Sequence, residues 1–180
     1  MRENPEKLNT QAINLASKGS FKEALACFHQ ALQIETSNSL LWYNLGVTYR
    51  EYGNLKAAKK ALLQAYKLNA KDEDIIETLS LVCFSLEEVD AAFKYCATGI
   101  DLNPQNFRMW NDMGVFFFSK GDYKEASEVF ETALSLNPLY TDALYNLRDT
   151  YAELGNIIGS NECEIKLKTL LHNDRRNNYV

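Results

Sequence analysis

The sequence predicts an all-α protein, a solenoid of helix pairs laid end to end. Three observations predict it. Sliding the 180-residue chain over itself by about 34 residues brings it into register, without gaps, for most of its length. Hydrophobic residues make up 46% of the chain, enough for a substantial core and too many for global disorder. Ala and Leu are abundant, and Pro5, Pro104 and Pro138 are the only prolines, so long stretches are free to form helices.

The repeat is carried by columns of like residues. Large side chains recur at Leu8, Trp42, Ile76, Trp110 and Leu144, and the small Ala12, Gly46, Ser80 and Gly114 stand four positions later. Leu15, Tyr49, Cys83, Phe117 and Tyr151 follow. A second small column reads Ala24, Ala58, Ala92, Ala126 and Ser160, and Ile34, Leu68, Leu102, Leu136 and Leu170 close each unit. Spacings of three and four place such residues on one helical face. There the small ones let a second helix approach, and the large ones fill the remaining space.

Each element follows in order. The first pair is placed at 6–18 and 22–34, with Gly19 at its turn and a polar Gln11 where later pairs have Leu45, Leu79, Met113 and Leu147. The second is placed at 39–52 and 55–68 around Gly53. The third, at 73–86 and 89–102, has Glu87 where the others have glycine, so its turn is expected to be built differently. The fourth is placed at 107–120 and 123–136 around Gly121, with Pro104 and Pro138 just beyond second helices, where proline stops a helix at little cost. The fifth, at 141–154 and 157–171 around Gly155, departs most: Arg148 takes the small slot and Glu164 the aromatic one. Cys163, Leu167, Leu170 and Leu171 still form an apolar stripe, so the last helix is read as a cap, set at a different angle by Arg148. The whole chain is thus one array with units at 5–38, 39–72, 73–106, 107–140 and 141–171, and a polar tail at 172–180. The polar departures at both ends are read as those of a complete solenoid.

The run Trp42-x-x-Leu45-Gly46-x-x-Tyr49 resembles the tetratricopeptide repeat signature, and Trp110-x-x-Met113-Gly114-x-x-Phe117 follows it closely. Ala24-x-x-x-Phe28 and Ala126-x-x-x-Phe130 match its second helix, and Pro104 and Pro138 its terminal proline. The resemblance covers about residues 5 to 171 and thins in the third and fifth units. It implies a right-handed superhelical solenoid whose first helices line a concave, peptide-binding side.

Composition excludes other classes. A net charge of −5 with no run of basic residues argues against nucleic acid, which needs clustered Lys and Arg; Arg175 and Arg176 are too short a pair to alter this. Cys27, Cys83, Cys96 and Cys163 include no Cys-x-x-Cys and read as free thiols, with Cys83 and Cys96 as small core residues on facing helices. The start, Met1-Arg-Glu-Asn-Pro, lacks an apolar signal stretch, and the longest apolar run, Val115 to Phe118, is far short of a membrane span. A cytoplasmic chain without membrane insertion is expected. Only His29 and His172 are present, with no nucleophile beside them, no phosphate loop and no metal-ligand spacing, so neither catalysis nor a cofactor or metal is expected. His29 is read as an exposed surface residue.

The face of each first helix left over from packing carries the candidate binding residues. They are Tyr43, Asn44, Val47 and Arg50; Asp74, Glu77, Leu81 and Phe84; Arg108, Asn111, Asp112, Val115 and Phe118; and Asp142, Tyr145, Asn146 and Asp149, with Leu40 beside the first set. Ile13, Val47, Leu81 and Val115 form an aliphatic ladder, which is either a binding surface or a seam that neighbouring repeats bury. Phe84 and Phe118, one turn beyond, point to binding. Acids dominate the rest, with Glu51, Asp74, Glu77, Asp112, Asp142 and Asp149 against Arg50 and Arg108. Such a groove favours a partner segment with apolar anchors and Lys or Arg.

Some relatives grip an acidic chain terminus with a carboxylate clamp. Asn44 fits it, but Asn9, Asp74 and Thr78 stand where basic residues are needed, which disfavours that mode. Asn44 and Asn146 also fit a backbone-holding asparagine track, interrupted at Thr78 and Asp112. The reading is a protein-binding adaptor. A dedicated chaperone for secreted or assembly subunits stands beside it. So does a structural subunit that self-associates through its end helix, by Ile157, Ile158, Leu170 and Leu171.

Overall fold

The computed structural model describes residues 4–177, with side chains as far as residue 170. The described residues form ten helices: α1 (Pro5–Ala16), α2 (Phe21–Ile34), α3 (Ser39–Glu51), α4 (Leu55–Leu68), α5 (Glu73–Ser85), α6 (Val89–Leu102), α7 (Phe107–Lys120), α8 (Tyr123–Leu136), α9 (Thr141–Glu153) and α10 (Ile157–Asn177). α10 thus continues as helix past 171. The side chains of Leu171, His172, Arg175 and Arg176 lie outside the described residues. No strand occurs among the described residues. Several helix starts are set by short polar side chains that accept from otherwise orphaned backbone N–H groups. Asn38 accepts from Leu41 N at 3.2 Å, Asn54 from Ala57 N at 3.1 Å, and Asn106 from Arg108 N at 3.1 Å.

Contacts divide the chain into two compact units, the first ending at Tyr95 and the second beginning at Cys96, within α6. In the first, α1 packs on α2 and α3 on α4, and α2 and α4 pack in turn on α3 and α5. Ala12, Ala24, Phe28, Ala31 and Leu45 lie in one buried cluster with the half-buried Trp42 and Tyr49. A Cβ placed on Gly46 would lie 2.7 Å from Leu62 Cγ, so the small column is small because the second helix sits directly on it. In the second unit α7 packs on α8 and α9 on α10, and a Cβ on Gly114 would lie 2.4 Å from Phe130 Cε1. The Trp42 indole donates to Thr36 O at 2.8 Å and the Trp110 indole to Pro104 O at 2.9 Å, so the signature tryptophan ties down the loop before its helix. Cys83 and Cys96 are free thiols with no exposed surface, as small core residues should be.

One expectation changes. The third turn is not built differently. Glu87 adopts φ 62°, its N donates to Phe84 O at 2.9 Å, and Glu88 N donates to Cys83 O at 2.9 Å. Around Gly53, at φ 84°, the bonds to Arg50 O and Tyr49 O are the same pair at 3.0 and 2.8 Å. The left-handed turn is kept at the cost of a side chain that disfavours it. Arg148, for its part, is half-buried in an ion pair: Nη1 lies 3.1 Å from Glu164 Oε2 and Nε donates to Asp149 Oδ1 at 2.8 Å. The two departures of the fifth pair are one event. The slots that hold Gly114 against Phe130 hold Arg148 against Glu164. Cys163 and Leu167 are buried as the apolar stripe requires.

Candidate protein-binding faces

Among the described residues, one pocket in each unit lies between neighbouring first helices, and the two are built from the same slots. In the first unit, Ile13 and Ala16 of α1, with Ser17 just beyond it, face Asn44, Val47, Thr48 and Glu51 of α3 over Phe28, around a pocket of about 240 Å³. In the second, Val115 and Phe118 of α7 face Asn146 and Asp149 of α9 over Phe130, around a pocket of about 90 Å³. Ile13 and Val115, Ala16 and Phe118, Phe28 and Phe130, Asn44 and Asn146, and Val47 and Asp149 occupy equal positions in their repeats. The second pocket is the smaller because a phenyl ring stands where the first has a methyl group.

Paired asparagines hold the walls together. Asn44 Nδ2 donates to Asn9 Oδ1 at 2.9 Å, and Asn146 Nδ2 donates to Asn111 Oδ1 at 2.9 Å. Asn111 is therefore not on the open face but buried, because its carbonyl is used to fix the neighbouring first helix. The asparagine slot does structural work first, and leaves Asn44 and Asn146 at the pocket walls.

The remaining face residues differ in exposure. Ile13 is 46% exposed, whereas Val47, Leu81 and Val115 are half-buried, so the ladder is part seam and part surface. Phe84 and Phe118 are half-buried, and the Phe118 ring meets Tyr123 edge-on at 5.2 Å. Asp74, Arg108, Asp142, Tyr145 and Asp149 are exposed; Tyr43, Arg50, Glu77 and Asp112 are half-buried. Glu77 Oε2 and Asp112 Oδ2 are shut off from solvent. Thr78 is buried.

Electrostatics separate the two pockets. In the second, the rim acid Asp149 lies 2.7 Å from Arg148 Nη2, so much of its charge is answered within the chain. Asp149 and then Glu164 hold the Arg148 guanidinium more firmly protonated than usual, and its carbon sits 5.2 Å from the Tyr145 ring centre. In the first pocket the rim acid is Glu51, exposed and outside every ion pair of the described residues. Sequence reasoning placed the walls but missed the floors, Phe28 and Phe130, and the small Ala16 that opens the larger pocket. The signal was present: these positions recur three repeats apart.

Comparison with known proteins agrees with this architecture. A tetratricopeptide repeat model matches residues 15–82, and a second TPR repeat model matches residues 116–155. The chain is a tetratricopeptide repeat protein. This repeat protein is 27% identical over 100 residues to the peroxisomal targeting signal receptor of Candida glabrata, a match covering 56% of this chain and 17% of the receptor. It spans under a third of the length of the curated relatives it matches. Among solved structures it is similar in fold to MamA, with TM-score 0.77 and 21% identity over 94% of this chain and 97% of that one. It is also similar in fold to YrrB, with TM-score 0.70 and 24% identity over 93% and 90% of the two chains. No helix among the described residues is long and apolar enough to cross a membrane. No group of three or more His, Cys, Asp or Glu residues among them is placed to hold a metal ion.

Proposed function

We propose that this repeat protein is a binding module that takes an extended partner segment against its first helices, with the main contact in the pocket between α1 and α3. The observation that carries the reading is that pocket's make-up. Ile13, Ala16, Phe28 and Val47 supply an apolar well, Asn44 a polar wall, and Glu51 a free negative charge at the rim. An apolar side chain followed by Lys or Arg fits it: the first is desolvated in the well and the second meets Glu51. YrrB, of like fold, is described as a TPR protein with an unusual peptide-binding site. Within the same unit, Asp74 of α5 adds an exposed negative charge to the first helices.

The test is fluorescence anisotropy of a labelled nonapeptide with a central Leu-Phe flanked by Lys, compared with the same peptide flanked by Glu. The lysine peptide should bind, and Glu51→Lys should weaken it at least fivefold while leaving the helical circular dichroism unchanged. Absence of binding by the lysine peptide, or no effect of Glu51→Lys on its binding, sinks the reading.

A second reading, self-association through α10, has its own observation. Ile157, Ile158 and Ile165 are 72%, 74% and 64% exposed. It predicts a light-scattering dimer that Ile158→Glu dissolves; a monomer at all concentrations removes it.

A further inference from the structure

The first unit has another pocket, on the opposite face of α3 from Val47 and Asn44. It measures about 460 Å³ and lies where α2, α3 and α4 meet. Trp42, Leu45, Tyr49, Ala61 and Leu63 give it an apolar floor and walls. The His29 ring closes one side, its Nε2 2.9 Å from the Tyr49 hydroxyl. Lys60 and Lys67 stand on the rim, exposed.

The charge around this pocket runs against that of the whole chain. α4 (Leu55–Leu68) carries Lys56, Lys59, Lys60 and Lys67 and no acid, in a protein of net charge −5. Lys59 is engaged by Glu88, which is the main reason its ammonium is held more firmly protonated than usual. Lys56, Lys60 and Lys67 enter no ion pair among the described residues, and they fall at i, i+4 and i+11, along one side of the helix. An apolar well beside a row of free lysines is therefore a built contrast with the acid-rimmed pocket between α1 and α3.

We infer that this pocket is a second docking site, for an acidic segment of a partner protein that carries one aromatic or branched aliphatic anchor. The anchor is desolvated against Trp42, Leu45 and Leu63, and flanking carboxylates reach Lys60 and Lys67. Its volume accommodates one or two large side chains. Nucleic acid does not fit the arrangement, because a phosphate backbone has no use for the apolar well and three lysines neutralise too few phosphates. The inference goes beyond the α1–α3 reading: it uses a different face, different residues and the opposite charge, so the two stand or fall separately.

The test is anisotropy of a labelled nonapeptide with a central Leu-Phe flanked by Glu. It is titrated into the wild type, into Lys60→Glu with Lys67→Glu, and into Glu51→Lys. The expected result is binding to the wild type, at least fivefold weaker binding to the double lysine variant, and undiminished binding to Glu51→Lys. These lysines are exposed, so unchanged circular dichroism is expected to accompany the loss. Absence of binding to the wild type overturns the inference, and so does equal affinity of the double variant. A concentration-dependent oligomer in light scattering that the double variant abolishes also overturns it, by giving the pocket to a second copy of this chain.

Discussion

Glu87 is where a single residue departs most from what its place in the fold prefers. A side chain at φ 62° costs about 1–2 kcal/mol relative to glycine. Part of that is returned by the smaller conformational freedom of a non-glycine residue in the unfolded chain. Glu87→Gly should therefore stabilise the protein by roughly 0.5–1 kcal/mol, read as a higher midpoint in urea denaturation; a lower midpoint would show that the Glu87 side chain contributes more than its strain. Gly114 gives the opposite case. Its Cβ would stand 2.4 Å from Phe130 Cε1, so Gly114→Ala should destabilise by about 1–3 kcal/mol, and an unchanged midpoint would mean that the Phe130 ring shifts freely. Both positions were visible in the sequence as members of columns. What was not visible was that the backbone would keep its left-handed turn when the glycine was lost. The reason is that the hydrogen bonds to Phe84 O and Cys83 O close the end of α5 whichever residue occupies the turn.

At the scale of elements, the joint between α9 and α10 replaces a packed ring by charges. Arg148 and Glu164 are both partly exposed, so solvent screens their pair and it contributes little. Restoring the slots with Arg148→Gly and Glu164→Phe together should raise the melting temperature, whereas each change alone should lower it. Additive effects would contradict the coupling of the two slots. The same joint has a pH signature. Hydrogen bonds from Arg148 and then Lys168 hold the Glu164 carboxyl below its usual range. Its contribution is therefore full above the unfolded value of about 4.3 and is lost as pH falls through the folded value. Thermal melts should show wild type more stable than Glu164→Gln near pH 7, with the gap closing near pH 3. A gap that persists in acid would assign the effect to packing. Helix order and most boundaries were legible from the column spacing and the turn residues. The Arg148–Glu164 pair was seen as two separate anomalies, because their meeting depends on how α9 and α10 pack. The asparagine pairs were hidden for the same reason: Asn9 and Asn44 are far apart in sequence and meet only when first helices lie side by side.

At the scale of the whole molecule, the net charge of −5 conceals an uneven distribution. The pocket between α1 and α3 ends in the free carboxylate of Glu51, whereas the pocket between α3 and α4 ends in Lys60 and Lys67. Sequence spacing separated these two faces of α3 but could not say that each would be hollow, since a pocket depends on the size of its neighbours: Ala16 opens one where Phe118 narrows its counterpart. The central claim is that the first-helix face binds an apolar, basic segment, and titration of the lysine-flanked nonapeptide into wild type and Glu51→Lys tests it most directly. The account predicts binding that weakens at least fivefold on charge reversal and a preference that shifts towards the glutamate-flanked peptide. Lysine-peptide binding that is absent from the wild type, or left unchanged by Glu51→Lys, would contradict it.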